Sequence, residues 1–168
     1  MEIKKEKALC FTGHRVIAAD KSDRLSELVH QAVLIYIRRG YEYFLTGGAF
    51  GFDTLAAECI ARLKSEGHNI KLILVLPCRD HTSKWKNATN IRAFERTLKA
   101  ADDVIYTSEE YTEGCMQIRN RFLVDNSNAC VAYKVTDRGG TGYTCRYAKK
   151  QGIELVNLGE LCTQLTFS

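Results

Sequence analysis

The 168 residues suffice for one domain, 1–168, with a full hydrophobic core, and a single proline points to regular structure nearly throughout. No apolar run approaches the ~20 residues of a membrane span, and the polar start Met1 to Lys7 lacks the apolar segment of a signal peptide. A net charge of +4 permits anionic ligands without indicating nucleic acid, and seven scattered cysteines without a CxxC pair read as free buried thiols of a cytoplasmic protein, not as a zinc site.

Ala8 to Thr12 reads as a short apolar strand running directly into Gly13, His14 and Arg15. Asp20 and Ser22 are alternative N-caps for a helix with Leu25, Leu28, Val29, Ala32 and Tyr36 on one stripe, stopped at Arg38, Arg39 and Gly40. A second strand, Tyr43 to Thr46, meets Gly47, Gly48 and Gly51 before Asp53 opens a helix. That helix carries Ala56, Cys59, Ile60 and Leu63 on one face and stops at Gly67. Such a junction exposes backbone N–H groups and the positive end of a helix dipole, a ready place for phosphate. Its spacing matches neither the dinucleotide fingerprint nor the phosphate loop, and a tight structural turn is the alternative.

Lys71 to Leu76 is a continuous apolar run without polar alternation, as in a central parallel strand covered on both faces, and Pro77 ends it. Cys78 to Lys86 is polar and basic and contains the only tryptophan, Trp85. A helix follows with Ile91, Phe94 and Leu98 spaced to face inward, then a strand at Val104 to Tyr106 and a polar loop from Thr107 to Gly114. Cys115 to Asp125 reads as a helix without a clean stripe, and Ala129 to Tyr133 as the fifth strand. Thr136 to Gly142 is a second glycine-rich loop leading into a helix through Ala148 that stops at Gly152. Ile153 to Leu158 gives a sixth strand, and Glu160 to Ser168 one helical turn with a frayed end.

Strands alternating with helical patterns indicate a mostly parallel, doubly wound sheet. Right-handed crossovers bring the residues after each strand to one carboxyl-end edge, and the polar and glycine-rich stretches all fall there. Arg15 can pair with phosphate or carboxylate through its fork, or form a salt bridge to Asp53 or Asp20. His14 is either an acid or base near neutral pH or an orienting hydrogen-bond partner. Asp53 accepts a ribose hydroxyl, activates water, or simply caps its helix. Arg119 and Asn120 reach the crevice or face solvent, and Trp85 stacks on a base or joins the core. Gly139, Gly140 and Thr141 form a second candidate anion nest.

Three stretches carry a resemblance: Phe11 to Arg15 (FTGHR), Gly47 to Asp53 (GGAFGFD) and Arg119 to Ser127 (RNRFLVDNS). Together they resemble the YpsA-like branch of the SLOG superfamily, which unites DprA with the LOG-type phosphoribohydrolases. The resemblance runs from the first strand to the sixth. It implies a Rossmann-like three-layer sandwich with a mostly parallel sheet of about six strands, binding a nucleotide-derived ligand at the strand carboxyl ends. The implied contacts are Gly13, Arg15, Gly47, Gly48, Gly51, Asp53, Arg119 and Asn120.

The chain departs from the LOG pattern PGGxGTxxE, with Arg138 at the proline, Tyr143 at the threonine and Arg146 at the glutamate. A guanidinium cannot replace the carboxylate that steadies a developing oxocarbenium ion or activates water, so Asp53 or Glu113 would have to substitute. The leading expectation is therefore binding or sensing of a nucleotide-derived small molecule. A nucleotide-processing hydrolase is the alternative, and single-stranded nucleic acid a second one. No metal or membrane is implied, the cofactor is left unassigned, and apolar helix faces allow a homo-oligomer.

Overall fold

A computed structural model describes residues 1–164. Its elements run β1 (Ala8–Gly13), α1 (Ser22–Arg38), β2 (Tyr43–Thr46), α2 (Phe52–Ser65), β3 (Lys71–Leu76), α3 (Ala88–Ala100), β4 (Asp103–Tyr106), α4 (Cys115–Asp125), β5 (Ala129–Tyr133), α5 (Gly139–Gln151), β6 (Glu154–Asn157) and α6 (Leu158–Gln164). Short 3-10 turns precede β1 and α1. The six strands form one sheet in the order β4-β3-β2-β1-β5-β6, and every neighbouring pair is parallel.

The alternation of side chains across the sheet builds two cores. Leu9, Phe11, Phe44, Leu72 and Leu74 pack with α1, α2, α3 and α6 on one face. Ala8, Cys10, Leu45, Ile73 and Val75 pack with Leu123 and Val124 of α4 and Ala148 of α5 on the other. This is a Rossmann-like three-layer sandwich. Both faces of the central strands are buried, which is why Lys71 to Leu76 shows no polar alternation. All seven cysteines are buried and free, four of them in these cores.

Several local expectations need correction. Neither Asp20 nor Ser22 caps α1: the residue before it is Lys21, at the end of a 3-10 turn, with no side-chain cap. The buried stripe of α1 uses Val33, while Ala32 is only half-buried. On α3 the buried residues are Ala93, Phe94 and Thr97, with Ile91 and Leu98 at the margin, and Asn87 Oδ1 caps the helix by accepting from Thr89 N–H at 2.9 Å. The second glycine-rich stretch is not all loop, because α5 already begins at Gly139. The sixth strand is Glu154–Asn157, and Leu158 starts α6; the expected frayed end, 165–168, lies outside the described residues.

The strand order fixes where a ligand fits. From β1 the chain moves outward through β2, β3 and β4, then returns to place β5 on the other flank of β1. Crossovers leave β1 and β5 in opposite directions, so a gap opens beyond their carboxyl ends.

Candidate functional site at the switch point

The crevice beyond β1 and β5 has a volume of about 650 Å³. Thr12, Gly13, His14 and Arg15 line it from the end of β1, and Arg138 to Thr141 from the start of α5. Asp53 of α2 and Arg119 and Asn120 of α4 form its floor. Of the residues singled out from sequence, Gly13, His14, Arg15, Asp53, Arg119, Asn120, Gly139, Gly140 and Thr141 come together here. Gly47, Gly48 and Gly51 do not line it.

The floor carries two buried ionisable groups and is not a solvated surface. Arg119 is 4% exposed and Asp53 7%. Arg119 Nη1 donates to the Gly47 carbonyl and its Nε donates to Asn120 Oδ1 at 2.8 Å. Asp53 accepts from Ala49 N–H at 3.1 Å. Burial pushes the Asp53 carboxyl up, opposed by Arg119, the Ala49 N–H and Arg15. Burial likewise lowers the Arg119 guanidinium, opposed by Asp53. Each group thus offsets part of the other's desolvation, although burial prevails at both, and Asp53 serves the turn before α2 instead of capping the helix.

The fold takes two N–H groups of the Gly47–Asp53 turn. Phe52 N–H, at the first position of α2, donates to the His14 carbonyl at 3.1 Å, and Ala49 N–H is held by Asp53. Gly51, at φ +80°, sits so close to the Arg15 carbonyl that no Cβ fits. Gly48, at φ +71°, packs against Leu76 and Phe94 and offers its carbonyl to His81 Nε2 at 2.9 Å. Positive φ makes glycine necessary at Gly48 and Gly51, and close packing of the neighbouring loops adds to that demand at both. Of the anion cradle read into this turn, the Ala49 and Phe52 N–H groups face protein, and its three glycines lie off the crevice lining.

The first turn of α5 differs. Gly139, Gly140 and Thr141 line the crevice, and Arg138, which precedes the helix, makes no side-chain cap. Arg146, at the position of the LOG glutamate, is exposed and donates to the Asp137 carbonyl at 2.9 Å, outside the crevice. Glu113 is exposed and lines neither cleft. Asp53 is the one carboxylate among the crevice-lining residues.

His14 orients. Its Nε2 accepts from Val135 N–H at 2.8 Å and, more weakly, from Thr136 N–H at 3.4 Å. The proton of the neutral ring therefore sits on Nδ1. Burial, helped by Lys134, lowers its pKa and keeps it neutral. Arg15 is exposed; its Cζ lies 5.3 Å from the centroid of the Phe50 ring, and no carboxylate among the described residues pairs with it. The alternative salt bridges to Asp53 and Asp20 are not formed.

Sequence reasoning missed Met116 and Gln117, which line the crevice from the first turn of α4. Met116 stands three and four residues before Arg119 and Asn120, so helical spacing alone places it on their face. It also missed Tyr143, whose hydroxyl accepts from Arg121 Nη1 at 2.9 Å at the crevice edge.

A second cleft of about 470 Å³ adjoins the first, and Arg15 and Met116 line both. Its wall is aromatic: Trp85 meets Phe50 edge-on at 5.3 Å between centroids, His81 at 5.2 Å and Phe94 at 5.6 Å. Trp85 is thus half-buried against the core and open to the cleft.

His81 gives the site a pH signature. Its Nε2 donates to Gly48, and burial, with smaller contributions from Arg119 and Arg15, lowers its pKa from 6.5 to about 4. Between these values the unfolded chain binds a proton that the folded chain refuses. The contribution of His81 to stability is complete above pH 6.5 and is lost as pH drops toward 4, by roughly 3 kcal/mol at most. Urea titrations of wild type and His81→Gln across that window check this. The variant is expected to show a clearly shallower acid loss, and parallel curves would remove His81 as the cause.

Comparison with known proteins comes from three sides. A family model described as the YspA SLOG family matches residues 9–157. The SPbeta prophage-derived protein YoqJ of Bacillus subtilis is 33% identical over 119 residues, 64% of this chain and 69% of that protein. A UPF0398 protein of Halalkalibacterium halodurans is 31% identical over 130 residues, 76% of this chain and 68% of the relative. Among solved structures, DprA of Streptococcus pneumoniae matches with a TM-score of 0.66 at 16% identity, over 97% of this chain and 56% of that one. DprA of Helicobacter pylori matches at 0.61 and 16%, over 90% and 64%. The chain spans less than two thirds of either DprA chain, and at such identity the likeness is one of fold.

Proposed function

Because the chain belongs to the YspA SLOG family, with its sheet reversing at a crevice, we propose that it binds a phosphate-bearing nucleotide there. The observation carrying this reading is the pairing of Arg15, without a carboxylate partner among the described residues, with the uncapped start of α5 on one crevice. A guanidinium fork and the positive end of a helix dipole both favour a phosphate. Asn120 and Thr141 supply neutral polar groups nearby for a sugar or base edge.

Arg15→Ala is expected to weaken nucleotide affinity about tenfold to a hundredfold, the loss of one charge-assisted hydrogen bond. Arg15→Lys should recover part of it, and the matching nucleoside should bind both variants like wild type. Calorimetry with nucleoside and nucleotide pairs measures this. Equal losses for both ligands would remove the phosphate from Arg15.

Single-stranded nucleic acid, as the source of that nucleotide, is favoured over a free small molecule by two observations. The Helicobacter pylori DprA neighbour is described by its single-stranded DNA binding mode. The aromatic cleft beside Arg15, with Lys84 and Lys86 on its lining, also has the character of a strand-binding groove. Anisotropy of a labelled oligothymidylate should then show affinity falling steeply with salt. Hydrolysis would have to use Asp53, whose carboxylate is held by Ala49 N–H beside Arg119, and release of free base is its test.

A further inference from the structure

We propose that the second cleft is a base-stacking subsite, so that the complete site takes two nucleosides joined through phosphate, with the linking phosphate at Arg15. The inference rests on the nucleotide reading of the first crevice and extends it. The two clefts are not separate places on the surface, since Arg15 and Met116 belong to the lining of both. A ligand that passes from one to the other passes Arg15.

The chemistry on the far side of Arg15 suits a base. The guanidinium lies over the Phe50 ring at 5.3 Å, and Phe50 in turn meets Trp85. Trp85, Phe50 and His81 form a continuous ring wall, and His81, held neutral at pH 7 by burial, adds no charge to it. At the rim, Lys84 Nζ lies 5.4 Å from the centroid of the Tyr111 ring, which is 63% exposed. Asp80 is the one carboxylate on this lining, against Arg15, Lys84 and Lys86. Flat rings bordered by cations match a nucleobase on a phosphate backbone and suit neither an aliphatic nor a cationic ligand. At about 470 Å³ the cleft has the size of an ordinary small-molecule site.

The linked unit has two possible sources, a phosphodiester step of a single strand or a free pyrophosphate-linked dinucleotide. Trp85, the only tryptophan, reports on the second cleft directly. The test titrates the full chain with thymidylate and adenylate, with pTpT and pApA, and with the corresponding pyrophosphate-linked dinucleosides. Affinity is read by equilibrium dialysis and cleft occupancy by tryptophan emission. Linked ligands are expected to bind at least about tenfold more tightly than their mononucleotides and to quench Trp85, with mononucleotides leaving its emission nearly unchanged. A gain confined to the phosphodiester series identifies a strand, and one confined to the pyrophosphate series a free dinucleotide; either supports the subsite. Tyr111→Ala, at an exposed position, should reduce the linked ligands' advantage several-fold and leave mononucleotide affinity unchanged. Mononucleotide binding with no gain from linkage, or a gain without any change at Trp85, overturns the second subsite and leaves the first crevice standing. No binding by any of the six ligands overturns the nucleotide reading itself, and the subsite with it.

Discussion

Arg119→Met is expected to lower the folding free energy by about 2–3 kcal/mol, because buried Asp53 loses the positive charge that offsets its desolvation. It also strips the Gly47 carbonyl of its donor at the end of β2. The double variant Asp53→Asn/Arg119→Met should recover a good part of this loss, since no lone charge remains. Denaturation midpoints of the two single variants and the double variant give the coupling. A pH series adds an independent sign. Burial already raises the Asp53 carboxyl above 3.8, and Arg119, the largest contribution opposing that rise, is gone in Arg119→Met. A carboxyl raised in the folded state favours folding as pH falls, so the deficit of Arg119→Met relative to wild type should shrink on acidification. A single-variant loss under about 1 kcal/mol, with no coupling, would mean that the pair is not structural.

Gly48→Val is expected to cost about 3–5 kcal/mol of stability, whatever its effect on binding. A valine at φ +71° is strained, and its Cβ would collide with the Leu76 side chain and crowd Phe94 at 3.3 Å. Gly139→Ala is the matched control. It too has a positive φ, +74°, but a Cβ there meets nothing within 4 Å. Only about 1 kcal/mol of backbone strain is expected, together with any change in ligand affinity. Thermal melts of both variants separate the cases; equal losses would show that the Leu76 contact relaxes freely.

This pair of glycines marks the limit of what the sequence discloses. The strands were legible because burial on both faces writes continuous apolar runs such as Lys71 to Leu76, and their order placed every polar stretch at one edge. The gathering of His14, Arg15, Asp53, Arg119 and Gly139 on one crevice follows from that order alone. Which glycine packs against protein and which faces the crevice does not follow. Glycine records that the backbone is permissive, while the atom it makes room for comes from afar: Leu76 for Gly48, the Arg15 carbonyl for Gly51. The burial of Arg119 was hidden for the same reason, since its acceptor Gly47 is 72 residues away and α4 has no clean apolar stripe to orient it. The start of α5 was misjudged because Gly139 to Gly142 are poor helix formers that tertiary contacts nonetheless hold in a helix.

His14 is the residue by which the two walls of the crevice are yoked. Its carbonyl holds the first N–H of α2, and its ring holds the backbone of Val135 and Thr136 on the way to α5. One residue of β1's loop thus acts as a clasp between a helix on one side of the sheet and a helix on the other. Breathing of the crevice along that line requires one of these bonds to open. Broad opening is therefore more readily supplied by the remaining wall, where Met116 and Gln117 present longer, unbranched side chains that change rotamer without breaking a backbone bond. The clasp at His14 thus holds its end of the crevice at a fixed gauge, while side-chain rotation at Met116 and Gln117 leaves the α4 wall adjustable.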